Sequence, residues 1–268
     1  ADVEPVALPG EAHLERVLSL VDVEGIRRRA VRVVLDANHG AGAVLGPRLL
    51  EELGCQVQFL GIVRDDEKEL EEMVRRGLDA DMLLLSGGTS KGEGDQNYRV
   101  FARFGNPGIL VHGVSLKPGK PLCLAVLEGT PAAILPGFPT SAIFTFTKFI
   151  APVLREMAGL PPEKNTRISA RVPLRIQSDK GRTEFNLVHL TQGPQGPAAY
   201  STGKGSGSVT GFSRADGFIE ITKETEMVES GEEVEIQLLG DAVQLPDLMI
   251  IGSHCVGMDY LIGEMRRL

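Results

Sequence analysis

Short apolar runs alternate with amphipathic, helix-like segments through the first three fifths of the chain. The runs Val31–Leu35, Gln56–Ile62 and Asp81–Ser86 have strand length and end in polar or glycine-rich turns. Between them, VLGPRLLEELG and Asp65–Gly77 show the helical spacing of apolar residues. Continuous apolar strands that alternate with helices predict a mostly parallel sheet covered on both faces, a three-layer α/β fold.

Further elements before and after these segments continue the same pattern. We predict additional helices at Glu11–Arg29, Gln96–Phe104 and Thr140–Met157, and additional strands at Gly108–Val114, Leu122–Leu127 and Ala132–Leu135. Gly159, Pro161 and Pro162 then stop the last helix. We therefore place the α/β domain at residues 1–162.

From Arg167 onward the pattern changes to short segments in which apolar and polar residues nearly alternate. These segments are RISARVPLRIQ, EFNLVHL, AAYST, FIEIT and EEVEIQLL, and Gly, Pro, Ser and Asp turns separate them. They predict a small all-β domain over residues 163–240, a barrel or a sandwich. Residues 241–268 then read as one strand, a turn and the start of a helix.

Composition and charge exclude several classes of protein. The chain has 268 residues, 42% of them hydrophobic, and a net charge of -8. An acidic chain does not favour nucleic acid or a membrane surface, so a bound anion must be held by a local pocket. The three cysteines lack the spacing of a zinc site or a disulfide framework. Without a leader or an apolar span, we predict a cytoplasmic protein with a small anionic substrate.

The glycine-rich loop SGGTSKGEGD follows the third strand. Its backbone amides are free of Cβ crowding and its hydroxyls can donate hydrogen bonds, which suits a phosphate. The candidate ligands are Gly87, Gly88, Thr89, Ser90 and Gly92. A flexible strand-to-helix connection would have the same composition, so this loop does not decide the function alone.

Two further loops carry candidate anion ligands. Lys117 and Lys120 bracket Pro118 and Gly119, so two ammonium groups can converge on one anion, although solvated surface lysines are the usual alternative. The loop LPGFPTSA leads into a helix N-terminus, where it can bind an anion or simply cap the helix. Its candidate residues are Pro136, Gly137, Pro139, Thr140 and Ser141.

Two carboxylates are further candidate site residues beside these loops. Asp95 ends the glycine-rich loop and Asp65 begins a predicted helix. Beside a polyphosphate, carboxylates usually hold a hard cation such as Mg²⁺, because they would otherwise repel the ligand. The alternative role of Asp65 is that of a helix N-cap. Since loops that follow parallel strands meet at one edge of the sheet, we expect Ser90, Lys117 and Thr140 to be neighbours.

Four motifs in this order, GIVRDD, SGGTSKGEGD, LKPGKP and LPGFPTSA, resemble the molybdopterin molybdenumtransferase family (MoeA type). The resemblance runs from about Leu49 to Gly240 and includes that family's C-terminal β-barrel. It implies a fold that binds adenylylated molybdopterin, transfers molybdate to it and releases AMP. The residues that match functional positions are Asp65, Asp95, Lys117, Lys120, Pro136, Pro139 and, in the barrel, Ser206. We assign catalysis to Asp65, Asp95, Lys117 and Lys120, with Asp65 and Asp95 as Mg²⁺ ligands.

Other parts of the chain resemble other families. Residues Val3 to Gly46 look like the second domain of the phosphohexomutases, and the tail from Pro246 is similar to the opening of a periplasmic-binding-protein-like domain. The transferase family's N-terminal domains, which commonly close its active site across a homodimer, are absent from this sequence. The chain thus looks like a splice of two families. Three hypotheses follow: a transferase, a binding module without turnover, or a phosphosugar-binding fragment.

Overall fold

The computed structural model describes residues 32–37, 50–51, 55–63, 66–88, 96–160, 166–203, 209–240, 245–246, 256–265 and 267. The helix predicted at Glu11–Arg29, most of the VLGPRLLEELG helix and the strand predicted in the tail lie outside these residues. Within the part described, no helix is long and apolar enough to cross a bilayer.

A six-stranded mixed sheet forms the centre of the α/β domain. Its strands are β1 (Arg32–Ala37), β2 (Gln56–Gly61), β3 (Met82–Ser86), β4 (Gly108–His112), β6 (Cys123–Leu127) and β7 (Thr130–Leu135). Their order is β2-β1-β3-β7-β6-β4, and the first four strands are parallel. Strand β6 is antiparallel to β7, and β4 is antiparallel to β6. Every residue of β3 is buried, which explains its uninterrupted apolar sequence.

Helices cover both faces of this sheet. On one face, α1 (Glu67–Gly77) and α2 (Asn97–Phe101) pack on Leu83 and Leu85 of β3. On the other, α4 (Ala151–Met157) packs on the alternate residues, among them Leu84. The three-layer α/β prediction is therefore confirmed.

The start of α1 corrects one prediction about Asp65. The N-cap of this helix is Asp66, whose carboxylate accepts hydrogen bonds from the backbone N–H groups of Lys68 and Glu69 at 2.9 and 3.0 Å. The N-cap role that we considered for Asp65 therefore belongs to its neighbour. Asp65 itself lies outside the described residues.

The helix predicted at Thr140–Met157 is not uniform. It begins as α3 (Pro139–Thr145), passes through a π-helical turn at Phe146–Ile150 and continues as α4. Pro152 lies in the first turn of α4 and has no N–H to donate to the preceding turn, which disfavours regular α-helical bonding there. The sequence shows this proline, but the prediction of one continuous helix did not include the π-helical turn before it.

Five strands close into a barrel in the second domain. They are β8 (Arg167–Arg171), β10 (Thr183–Gly193), β11 (Gly196–Ser201), β12 (Gly217–Ile221) and β14 (Glu233–Leu238). Their order is β11-β8-β14-β12-β10, and β10 pairs back to β11. The predicted all-β domain is thus a barrel, and Val188, Leu190 and Ile236 lie in its core.

Shorter elements accompany the barrel. The strands β9 (Ile176–Gln177) and β13 (Met227–Val228) form a separate two-stranded pairing. A short helix, α5 (Val209–Arg214), precedes β12, and α6 (Val256–Met265) lies in the tail. The helix predicted in the tail is therefore present.

A short strand from the α/β part of the sequence joins the barrel sheet. This strand, β5 (Leu116–Lys117), pairs in parallel with β10, so that Leu116 lies opposite Thr183 and Lys117 opposite Glu184. The strand predicted at Gly108–Val114 ends earlier, at His112, and the chain then turns towards the barrel. The two domains therefore share a sheet edge.

An apolar cluster, here called the seam, fills the space beside this pairing. Its buried members are Leu116, Phe144, Phe185, Leu187, Phe212, Ala215, Phe218 and Leu239. The ring centroid of Phe144 lies 5.0 Å from that of Phe185 and 5.2 Å from that of Phe218. Aromatic packing of this kind holds α3 against the barrel.

Candidate anion-binding site

The first and third candidate loops meet at the carboxyl ends of β3 and β7. The backbone N–H of Gly87 donates to the carbonyl oxygen of Leu135 at 2.9 Å. A Cβ added at Gly137 would lie 3.5 Å from Cα of Gly87, so the two backbones are in contact. We call this edge of the sheet, with residues 86–88, 117–120 and 135–141, the loop edge.

A buried asparagine holds the glycine-rich loop in place. The side-chain amide of Asn97, at the start of α2, donates to the carbonyl oxygen of Gly87 at 2.9 Å, and Asn97 is 2% exposed. Gly88 has φ +64°, and a Cβ there would collide with this amide. Sequence analysis missed Asn97, although an amide just after a glycine-rich loop is a usable signal.

The turn between the two lysines packs on α3. Gly119 has φ +121°, and a Cβ at this position would lie 2.6 Å from Cγ2 of Thr145 and 3.7 Å from the carbonyl oxygen of Ser141. The turn follows β5, which belongs to the barrel sheet, and not a strand of the first sheet as we expected. It reaches the loop edge because it precedes β6, which runs antiparallel to β7.

The third loop presents its residues unequally. Thr140 and Ser141 are 2% and 5% exposed, so their side chains face the protein interior. Phe138, the N-cap of α3, is 63% exposed and makes no side-chain cap, while Pro139 occupies the first turn. The accessible groups at this helix start are therefore Phe138 and the backbone, and not the two hydroxyls.

Lys117 and Lys120 lie in different electrostatic surroundings. The Lys117 ammonium is 2.6 Å from Oδ2 of Asp179 and 3.3 Å from Oε2 of Glu184, both in the barrel domain. Burial desolvates this ammonium, but its hydrogen bonds and charge interactions with these two carboxylates outweigh that effect and raise the pKa of Lys117. Lys120 is exposed, and among the described residues no ion pair includes it.

Two domain families match this chain. The family described as "Probable molybdopterin binding domain" matches residues 43–156, and the one described as "MoeA C-terminal region (domain IV)" matches residues 169–239. The chain carries the molybdopterin-binding and C-terminal domains of the MoeA family. Both matches fall where the structure places the α/β sheet and the barrel.

Several MoeA-type proteins are similar in sequence or structure. The molybdopterin molybdenumtransferase of Haemophilus influenzae is 32% identical over 193 residues, which are 70% of this chain and 47% of that protein. Molybdopterin molybdenumtransferase 2 of Mycobacterium tuberculosis is 26% identical over 251 residues, 86% of this chain and 62% of that protein. The molybdopterin biosynthesis MoeA protein from Pyrococcus horikoshii aligns with a TM-score of 0.63 at 31% identity, over 79% of this chain and 55% of that one. The chain spans about half the length of such relatives.

Several predicted MoeA-type site residues lie outside the described part of the structure. They are Asp65, Thr89, Ser90, Gly92, Asp95 and Ser206. The Mg²⁺ site assigned to Asp65 and Asp95 is thus still a prediction, and the described residues contain no group of three or more His, Cys, Asp or Glu suited to a metal. The phosphohexomutase likeness of residues 3–46, and the splice that it suggests, also stay predictions.

Proposed function

We propose that this chain takes part in molybdenum cofactor biosynthesis by binding adenylylated molybdopterin at the loop edge, where molybdate is inserted and AMP is released. One observation carries the proposal: loops that are far apart in sequence touch at this edge. Gly87 meets Gly137, and Gly119 meets Ser141. The names of the related proteins, which are molybdopterin molybdenumtransferases, agree with it.

The loop edge would act mainly by positioning and charge stabilisation. The turns at Gly87 and Gly137 bring backbone close to backbone, so a diphosphate can approach without meeting a Cβ. The exposed Lys120 would offset the negative charge on the phosphoanhydride as its bond to AMP breaks. Phe138, exposed beside these turns, offers an apolar face to the planar part of the ligand.

Asp65 and Asp95 are the proposed Mg²⁺ ligands. Carboxylate oxygens are the donors that this hard cation prefers, and in sequence Asp65 follows β2 and directly precedes the N-cap of α1. Bound there, Mg²⁺ would neutralise phosphate charge. Asp95 follows β3 in sequence and precedes α2 by two residues, and the proposal that both carboxylates meet at one edge of the sheet rests on this chain order.

Release of AMP tests this function. The protein is incubated with adenylylated molybdopterin, molybdate and Mg²⁺, and AMP is followed with time. We expect Asp95→Ala to slow the release about 100-fold or more. The matched control is Asp79→Ala, because Asp79 lies after the carboxyl end of α1, at the opposite edge of the sheet. Equal rates for the two variants would contradict the assignment of Asp95.

The competing hypotheses give different outcomes in the same experiment. Binding without AMP release would favour a binding module. Binding of glucose or mannose phosphates, and not of adenylylated molybdopterin, would favour the phosphosugar-binding fragment. We also propose a homodimer, which light scattering of the purified chain would test.

A further inference from the structure

We propose that Glu184 of the barrel is a positioning residue for the loop edge, and that the two lysines of the 117–120 turn have separate tasks. Glu184 fixes Lys117, and Lys117 in turn fixes the turn from which Lys120 faces the anion. This inference rests on the proposed function, because it assigns roles within the same site. With this role for Glu184, the barrel domain contributes to an anion site that lies on the α/β domain.

The first step of the argument is the register between the domains. Lys117 on β5 and Glu184 on β10 are directly paired residues of one sheet. The ammonium of Lys117 lies 3.3 Å from Oε2 of Glu184, and the same oxygen accepts a hydrogen bond from the Ser178 hydroxyl at 2.9 Å. The backbone pairing and the side-chain contact thus hold Lys117 from two directions.

Burial makes Glu184 the more important of the two carboxylates. Its side chain is 5% exposed, whereas that of Asp179 is 54% exposed. A buried carboxylate is costly unless it is paired, so Glu184 requires a cation at this position. Asp179 makes the shorter contact with the ammonium, 2.6 Å, but it is exposed and can be solvated by water when that contact is broken. Glu184 therefore determines where the Lys117 ammonium must lie.

The geometry of the turn transmits this constraint to Lys120. Pro118 and Gly119 separate the two lysines, and Gly119 is packed against Thr145 of α3 with no room for a side chain. The backbone N–H of Val114 also donates to the carbonyl oxygen of Lys120 at 2.9 Å. Lys120 is therefore displayed from a short turn that is fixed at both ends.

Charge supports the same division of tasks. Lys117 faces two carboxylates, so this group carries a net negative charge and does not attract a polyanion. Lys120 is exposed and outside every ion pair that the described residues form. The positive charge that the turn offers to a ligand is therefore that of Lys120.

Substitution of Glu184 separates positioning from a simple field effect by the sign of the result. If Glu184 acted only through its charge, Glu184→Gln would strengthen anion binding, because a negative charge near the site is removed. If Glu184 positions the turn, the same change weakens binding, because the turn is no longer fixed. The two explanations therefore predict opposite changes in affinity.

The binding experiment uses inorganic pyrophosphate and titration calorimetry on the full chain. We expect Glu184→Gln to weaken binding about tenfold, and Asp179→Asn to weaken it roughly twofold. The matched control is Glu220→Gln, which breaks another ion pair between the domains, that of Glu220 with Lys148 at 3.3 Å, and should leave the affinity unchanged. Unchanged or tighter binding by Glu184→Gln would overturn the proposal, whatever the effect of Asp179→Asn.

A second measurement needs no ligand. The rate at which an amine-acylating reagent modifies each lysine is followed by mass spectrometry. We expect Lys117 to react slowly and Lys120 quickly, and Glu184→Gln to accelerate Lys117 by about threefold or more. Equal rates at both lysines in the unsubstituted protein would overturn the division of tasks. Slow, Glu184-dependent labelling of Lys117 without any pyrophosphate binding would instead overturn the proposed function and support the fixing of Lys117.

Discussion

The loop edge and the seam both contact α3 but are held together by different forces. At the loop edge, the backbones of Gly87 and Gly137 touch, and Gly119 packs on Thr145 with no room for a side chain. In the seam, the rings of Phe144, Phe185, Phe212 and Phe218 pack against one another. We therefore expect the seam to supply stability and the loop edge to supply geometry. Substitutions that affect one property and spare the other can test this contrast.

The largest expected effect is in the seam. Phe144 is 2% exposed and contacts three other rings, so Phe144→Ala should lower the free energy of unfolding by about 3–5 kcal/mol. The control is Phe138→Ala, because Phe138 lies just before the same helix but is 63% exposed. Urea denaturation measures both. A loss as large for Phe138 as for Phe144 would break the contrast.

At the loop edge we expect a smaller loss of stability and a clear loss of binding. Gly119→Ala places a methyl group 2.6 Å from Cγ2 of Thr145 and should cost about 2 kcal/mol. It should also weaken pyrophosphate binding about tenfold, because the turn is displaced.

The control for Gly119 is Gly129→Ala in the β6–β7 turn. Gly129 also has a positive φ, +97°, but a Cβ there has nothing within 4 Å. Gly129→Ala therefore introduces only the backbone strain of a side chain at positive φ, which costs about 1 kcal/mol. Pyrophosphate titration and urea denaturation of both variants give the comparison, and an unchanged affinity in Gly119→Ala would contradict the role of this turn.

The smallest expected effect concerns pH and separates the two domains. Burial raises the pKa of the Cys55 and Cys123 thiols from 9.0 to about 11, and both lie in the α/β domain. Above pH 9 the unfolded chain loses these protons while the folded chain keeps them, so stability falls as the pH rises. At pH 10 we expect a loss of about 1 kcal/mol per thiol.

Urea denaturation at pH 8 and pH 10 measures this effect. The double variant Cys55→Ala and Cys123→Ala removes both titrating groups and should lose less stability between the two values. The barrel segment 166–240 contains no cysteine, so neither of the two titrating thiols lies in it. An equal pH dependence in the parent and the double variant would show that the thiols are not responsible.

The architecture was accessible from the sequence because local patterns determine it. The apolar run of β3 and the alternation in β14 each follow from how many faces of the strand are covered. The pairing of β5 with β10 was not accessible, because two residues carry no periodic signal and their partner lies 67 positions away in sequence. The π-helical turn could not be predicted for a related reason. Pro152 disfavours regular α-helical hydrogen bonding, but it does not indicate which geometry takes its place.

The candidate site was predicted in part. The meeting of the glycine-rich loop with LPGFPTSA followed from the rule for parallel strands and is present between Gly87 and Gly137. The partners of Lys117 could not be predicted, because nothing near KPGK in the sequence indicates Asp179 or Glu184. The expectation for Ser90 concerns a residue outside the described part of the chain.

The short strand β5 affects how the barrel could be inherited or expressed separately. A gene fragment that starts after residue 162 would encode every strand of the closed barrel but would omit Leu116 and Lys117. The N–H of Thr183 would then lose its acceptor, the carbonyl oxygen of Ser115, and Glu184 would face water with no cation beside it. Recombination that transfers this barrel to another protein therefore has to carry residues 115–117 with it, or find a substitute for them in the new host.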